Sequence, residues 1–154
     1  MLNIVPSLWF ADNNCEEAIN YYIKVFPNST INSIRYYPPE DQNEHFEGMS
    51  GKILTAEFNL NGVDFIALDG GPIFRFSNAV SFTVLCKDQE ELDYYYYNLS
   101  DNLEIEQCGW VIDKFGLSWQ IVPSNMDSLL QNDEQMNAMM NMKRINIQEL
   151  EDLA

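Results

Sequence analysis

Three sets of residues in this chain could do chemistry: the cysteines, the surroundings of the single histidine, and one carboxylate in a strand. Cys15, Cys86 and Cys108 show no CxxC spacing. A nucleophilic thiol needs a neighbouring base, and His45 is the one histidine available. Each cysteine adjoins a strand or helix pattern and reads as a small buried hydrophobe in a reducing compartment. His45 lies in "PPEDQNEHFEGMSG" with Glu40, Asp41, Glu44 and Glu47. Such a set could mimic a metal cluster, but its composition reads as a solvated loop. A loop of this length could also serve as a lid. Glu57 lies in "EFNLNGVDFIAL". Packed among Trp9, Ile66 and Leu68 it would be desolvated, and a carboxyl poised nearer neutrality could act as a general base. The other reading is a structural carboxylate bonded to Ser or Gln neighbours, or one that reaches water. Ser7 and Gln120 read as groups that orient a ligand by hydrogen bonds. Trp9 could stack on a flat ligand or simply fill space.

The elements that position these residues form a repeat. "SLWFADNNCEEAINYY", from Ser7, matches "SFTVLCKDQEELDYYY", from Ser81, in its serine, its paired glutamates and its paired tyrosines. Each segment runs from a short apolar strand through a polar cap into an amphipathic helix. Asn13 or Asn14 caps the first helix and Asp88 the second, with acidic residues at the positive helix start. Each half ends in a hairpin, one turning at Asn61-Gly62 and one at Phe115-Gly116. The first half has a further strand at Thr30–Tyr37 and a polar loop before its hairpin; in the second this shrinks to Leu103–Gln107. The chain thus reads strand–helix–three strands, twice. A helical tail follows, with Met136, Met139 and Met140 as an apolar stripe that packs on the body or on a second subunit. A short last helix covers Ile147, Leu150 and Leu153.

Alternation along the strands divides the residues into two faces. A two-residue turn at Asn61-Gly62 sets Phe58 opposite Phe65, Ala56 opposite Ala67, Glu57 opposite Ile66 and Asn59 opposite Asp64. The same rule at Phe115-Gly116 sets Ile112 opposite Trp119 and Val111 opposite Gln120. Leu8, Phe10, Phe82, Val84, Trp110, Ile112, Trp119 and Ile121 then fall on the face that the helices cover. Ser7, Trp9, Glu57, Asn59, Ile66, Leu68, Ser81, Thr83, Val111, Asp113, Ser118 and Gln120 fall on the other. Mostly apolar walls with a few placed hydrogen-bonding groups are what a ligand cavity requires. The expected ligand-binding residues are Ser7, Trp9, Glu57, Ile66, Ser81, Thr83, Val111, Asp113 and Gln120. The expected fold class is α+β: two βαβββ repeats forming paired curved sheets around a cleft, plus C-terminal helices.

Composition excludes whole classes of function. The chain has 154 residues, 46% of them hydrophobic, enough for the core of one domain. Repeat one spans about 1–70, repeat two about 78–123, and the helical tail 124–154. There are 24 acidic against 8 basic residues, a formal net charge of −16. Nucleic-acid binding needs a positive footprint, so it is not expected. No apolar run is long enough for a membrane span, and the start "MLNIVP" lacks the features of a signal peptide. A cytoplasmic protein is expected. In "YYYY" at Tyr94–Tyr97 four consecutive rings cover every face of a helix, so at least one must point outward. That suggests an interface with a second subunit or with the C-terminal helix.

"PSLWF", "EEAINYYIKVFP", "GKILTAEFNLNGVDFIALDGGP", "SFTVLCKDQEELDYYYYNL", "CGWVIDKFGLSWQIVP" and "NMKRINIQELE" together resemble the vicinal oxygen chelate superfamily. That superfamily includes glyoxalase I, extradiol dioxygenases and bleomycin-resistance proteins. The PhnB-like branch, often labelled 3-demethylubiquinone-9 3-methyltransferase-like, is the nearer likeness. The resemblance implies a single glyoxalase-like domain over 1–154 and a homodimer. It also implies a metal between the repeats, held by one ligand from each first strand and one from each last strand. Carried over, those positions fall at about Ser7, Ile66, Ser81 and Gln120. None is a usual ligand for a catalytic divalent metal, so no cofactor and no metal site are expected. The label's methyltransferase chemistry would use a Gly-rich strand-to-helix turn, whereas Gly70-Gly71-Pro72 follow a hairpin strand and read as the loop joining the repeats. The leading expectation is a protein that binds a small organic molecule without a catalytic metal. One alternative is a divalent-metal enzyme of isomerase, lyase or transferase type, its ion held by Glu57, Gln120 and substrate oxygens. The other is a structural dimer with a vestigial cleft.

Overall fold

The computed structural model describes every residue except Leu103 and Ile105. The chain divides into two compact units, Met1–Phe76 and Ser77–Ala154. The architecture is α+β, with one sheet in each unit and helices at the C-terminal end.

In the first unit β1 (Ser7–Phe10) leads to α1 (Cys15–Val25), then β2 (Thr30–Tyr36), β3 (Ile53–Leu60) and β4 (Val63–Asp69). The sheet order is β1-β4-β3-β2. β1 runs parallel to β4, and the other pairs are antiparallel. Asn61 and Gly62 have φ of 47° and 94°, the left-handed pair that a tight two-residue hairpin demands. The expected register holds: Ala56 faces Ala67, Glu57 faces Ile66, Phe58 faces Phe65 and Asn59 faces Asp64. Cys15, Ala18, Ile19, Tyr22 and Val25 recur at helical spacing and are buried. Leu8, Phe10, Phe58, Phe65 and Ala67 of the sheet are buried too, with Phe58 and Phe65 stacked at 5.3 Å.

Neither Asn13 nor Asn14 caps α1 with its side chain. Asn14 stands at the cap position and makes no side-chain cap bond. Buried Asp69, at the end of β4, does this work instead. Its Oδ1 accepts the Cys15 amide and its Oδ2 the Ile53 amide, both at 2.9 Å. Asn13 turns to accept the Gly71 amide at 3.1 Å. The polar loop between β2 and β3 makes short 3-10 turns at Glu40–Gln42 and Glu44–Phe46. Tyr37 anchors it by donating its hydroxyl to the Asp69 carbonyl at 2.7 Å.

In the second unit β5 (Phe82–Cys86) leads to α2 (Gln89–Leu99), then β6 (Trp110–Ile112) and β7 (Ser118–Pro123). The sheet order is β5-β7-β6, with β5 parallel to β7. The further strand expected at Leu103–Gln107 falls partly on Leu103 and Ile105, which lie outside the described residues. Beside them Gln107 makes a lone antiparallel bridge to Trp110. Asp88 caps α2 as expected, accepting the Glu91 amide at 2.9 Å.

The second hairpin corrects the sequence reading. Trp110 pairs with Gln120, Val111 with Trp119 and Ile112 with Ser118. The loop has three residues, Lys114 to Gly116, closed by the Asp113 amide donating to the Leu117 carbonyl at 2.9 Å. Gly116 has φ of 88°, the left-handed residue that ends such a loop. One extra loop residue slips β6 by one position, and a one-residue slip sends every side chain to the opposite face. Val111 and Asp113 therefore lie on the buried, helix-covered face with Trp119 and Ile121. Trp110 and Ile112 lie on the open face with Gln120.

The tail forms α3 (Met126–Leu129), α4 (Asp133–Met140) and α5 (Ile147–Asp152). The methionine stripe on α4 is not packed away within the chain itself, since Met136 and Met140 are 42% and 54% exposed. The buried residue of α4 is Gln135, whose Nε2 donates to the Leu150 carbonyl at 3.0 Å. Gln89 and Asp93 of α2 hold the tail: Gln89 bonds Ile145 and Ile147, and Asp93 pairs with Arg144 at 2.7 Å. On α2, Tyr95 and Tyr96 are buried while Tyr94 and Tyr97 point outward.

Candidate functional site

Of the expected site residues, Ser7, Trp9, Glu57 and Ile66 belong to the first unit and the rest to the second. Each set sits on the open face of its own sheet, apart from Val111 and Asp113.

On the first sheet Ser7 lies beside Ile66, and Ile66 beside Glu57, across three neighbouring strands. Glu57 and Ile66, with Asn3, Asn32 and Asp64, line a shallow recess of about 230 Å³. The burial on which a base role for Glu57 depended is absent. Glu57 is exposed and accepts a long 3.4 Å bond from the Ser33 hydroxyl. Trp9 is half-buried, and its Nε1 donates to the Gly71 carbonyl at 2.8 Å. Phe74 meets the ring edge-on at 5.0 Å. A Cβ on Gly70 would run into the Trp9 indole. The Gly70-Gly71 pair thus seats Trp9 and opens no helix, so it is no cofactor-binding turn of the common methyltransferase kind.

On the second sheet Thr83 lies beside Gln120, and Gln120 Nε2 donates to Ser81 Oγ at 2.9 Å. The Gln120 amide oxygen is left as an acceptor on this face. Gln120 also lines a pocket of about 650 Å³. Trp110, Ile112 and Val122 form its sheet wall, and Met126, Leu130, Met139 and Met140 come from the tail. Asn78, Gln107 and Cys108 complete it, and none of the lining residues is charged. Trp110 Nε1 is buried with no hydrogen-bond partner among the described residues.

Val111 and Asp113 lie away from this pocket, on the core side. Asp113 is a structural hub: its Oδ1 accepts the Phe115 and Leu117 amides and its Oδ2 accepts Trp119 Nε1 at 2.9 Å. The sequence reading missed Trp110 and Ile112 as open-face residues, and it did not place the tail methionines beside them. A signal for the first was present. Asp113 and Gly116 are the first and fourth residues of a turn closed by the Gly116 amide donating to the Asp113 carbonyl at 2.9 Å, the positions that Asp and Gly favour in type I turns.

Burial keeps two of the three thiols protonated. It pushes the Cys86 thiol up to about 12, with the Glu91 and Asp88 charges adding to the effect. Burial also raises the Cys15 thiol, with Asp69 next in effect. A protonated thiol is a poor nucleophile and metal ligand. Cys108 is the cysteine that is not buried.

The positions implied for a divalent metal do not suit one. Ile66 has no donor atom, and the Ser81 hydroxyl is engaged with Gln120. Among the described residues no three His, Cys, Asp or Glu side chains gather into a metal-binding group. His45 stands on its loop with its side chain 83% exposed, beside Glu44 at 4.0 Å.

Residues 2–122 match the family model described as 3-demethylubiquinone-9 3-methyltransferase. A PhnB protein from Bacillus cereus, assigned to that same group, is 31% identical with a TM-score of 0.65. The match covers 79% of this chain and 98% of that one. Protein PA1353 from Pseudomonas aeruginosa shares the fold at 21% identity and a TM-score of 0.56, covering 80% of this chain and 97% of its own. No curated protein matches the chain.

Proposed function

The chain belongs to the 3-demethylubiquinone-9 3-methyltransferase family of PhnB-like proteins, and from that premise we propose that it binds a small, largely apolar organic molecule, in the manner of the glyoxalase and bleomycin-resistance proteins it resembles. The pocket against the open face of the second sheet carries this reading. Its volume of about 650 Å³ falls within the range of small-molecule sites, which pair apolar walls with a few polar groups. Trp110 supplies a flat wall and the methionines a deformable one. Gln120, backed by Ser81, offers an acceptor that would orient the ligand. An anion would find no positive partner among the lining residues, so a neutral or cationic compound fits better. We further read the protein as a cytoplasmic homodimer. Exposed Tyr94 and Tyr97 support an interface on α2, since aromatic residues are enriched at interfaces. No helix among the described residues is long and apolar enough to cross a membrane.

Titration with Nile red, a neutral fluorescent probe, tests the pocket. Saturable binding should weaken by about tenfold or more, roughly 1.4 kcal/mol, in both Trp110→Ala and Gln120→Leu. The two substitutions alter the wall and the polar group separately, so a folding defect in one leaves the other informative. Unchanged affinity in both would remove the pocket from the function.

A further inference from the structure

The same pocket has a sulfur-rich rim that binding of an organic ligand does not require. Cys108 lies on the turn before β6 and Met140 at the end of α4, yet Cys108 Sγ is 3.9 Å from Met140 Sδ. The backbone holds them there. The Cys108 and Gly109 amides donate to the Met142 and Lys143 carbonyls, both at 2.7 Å, and Gln107 Nε2 donates to the Met140 carbonyl. Met126 and Met139 line the same pocket and bring two more thioethers.

We propose that this rim is a binding site for one soft monovalent cation, Cu(I), held between Cys108 and Met140 with a further thioether from the pocket wall. Thiolate and thioether ligands select Cu(I) over the harder divalent ions. With metal–sulfur bonds of about 2.3 Å, two sulfurs 3.9 Å apart subtend roughly 115° at the ion, close to trigonal. The spacing therefore suits a shared ion without movement of either element. On binding, the Cys108 S–H proton passes to solvent as the S–Cu bond forms, and no electron is transferred. The formal charge of −16 favours the approach of a cation. This site is distinct in chemistry from the divalent centre of the resembled superfamily, and it stands whether or not an organic ligand shares the pocket.

The test is an anaerobic competition of the full chain for Cu(I) against the chromophoric chelator bathocuproine disulfonate. Wild-type protein should withdraw one equivalent. Cys108→Ser should lose on the order of 100-fold in affinity and Met140→Leu about tenfold. Met136→Leu, on the same helix but outside the pocket lining, should match wild type. Far-UV circular dichroism on each variant establishes that the fold is intact. No withdrawal of Cu(I), retention in Cys108→Ser, or equal behaviour of Met140→Leu and Met136→Leu would each overturn the site; the last would mean adventitious binding to a thiol. Trp110→Ala and Gln120→Leu, which keep both sulfurs, should withdraw Cu(I) like wild type while Nile red binding weakens, so the organic-ligand proposal is read separately.

Discussion

Asp113 and Asp69 show how much of this fold hangs on single buried carboxylates. Each gathers hydrogen-bond donors far apart in function: Asp69 joins a helix start to a strand, and Asp113 joins a turn to a core tryptophan. Removing a buried acceptor leaves its donors unsatisfied, which costs more than the bond itself contributed. Asp113→Ala abandons two amides and the Trp119 indole N–H. We expect a loss of about 3 kcal/mol in urea unfolding, with Nile red affinity unchanged in the folded fraction. Unchanged stability with lost affinity would return Asp113 to the binding role the alternation pattern suggested. That pattern identified the residue as polar and placed, but its direction depended on one residue of loop length.

At the scale of elements, the two helices are alike in sequence but start differently. α2 is capped by its own Asp88, whereas α1 receives its cap from Asp69, more than fifty residues on in the chain. Asp88→Ala should therefore cost about 1 kcal/mol, the usual worth of an N-cap side chain, and Asn14→Ala close to nothing. Equal losses in urea unfolding would mean that Asn14 caps α1 after all. The hairpins differ in the same way. Asn61-Gly62 names its turn, because two consecutive left-handed residues are what a two-residue hairpin needs and Asn and Gly tolerate them. Phe115-Gly116 does not, because two- and three-residue loops both end comfortably on a glycine with positive φ. Strand alternation then propagated the ambiguity to all of β6, which is why Trp110 and Ile112 were expected inside and Val111 and Asp113 outside.

The whole molecule carries a large unbalanced charge, 24 acidic against 8 basic residues, so most carboxylates have no basic residue to pair with. Arg75–Asp12 at 3.2 Å is exposed, and Arg144–Asp93 at 2.7 Å is half-buried. Self-repulsion should dominate over these contacts, and salt screens repulsion. We expect the melting temperature to rise by about 3 °C or more between low salt and roughly 0.5 M NaCl; a fall would mean that the ion pairs outweigh the repulsion. The sequence by itself determined the order of the main helices and strands, the α+β class, and the register and buried face of the first hairpin. These rest on local periodicity, a named turn and the pairing of adjacent segments, all readable within a few residues. Only the tertiary structure decided the faces of the second hairpin, the source of the α1 cap and the union of Cys108, Trp110 and Gln120 with the tail methionines in one pocket. The last two depend on contacts between distant parts of the chain, and the first on a single loop residue, to which side-chain periodicity is blind.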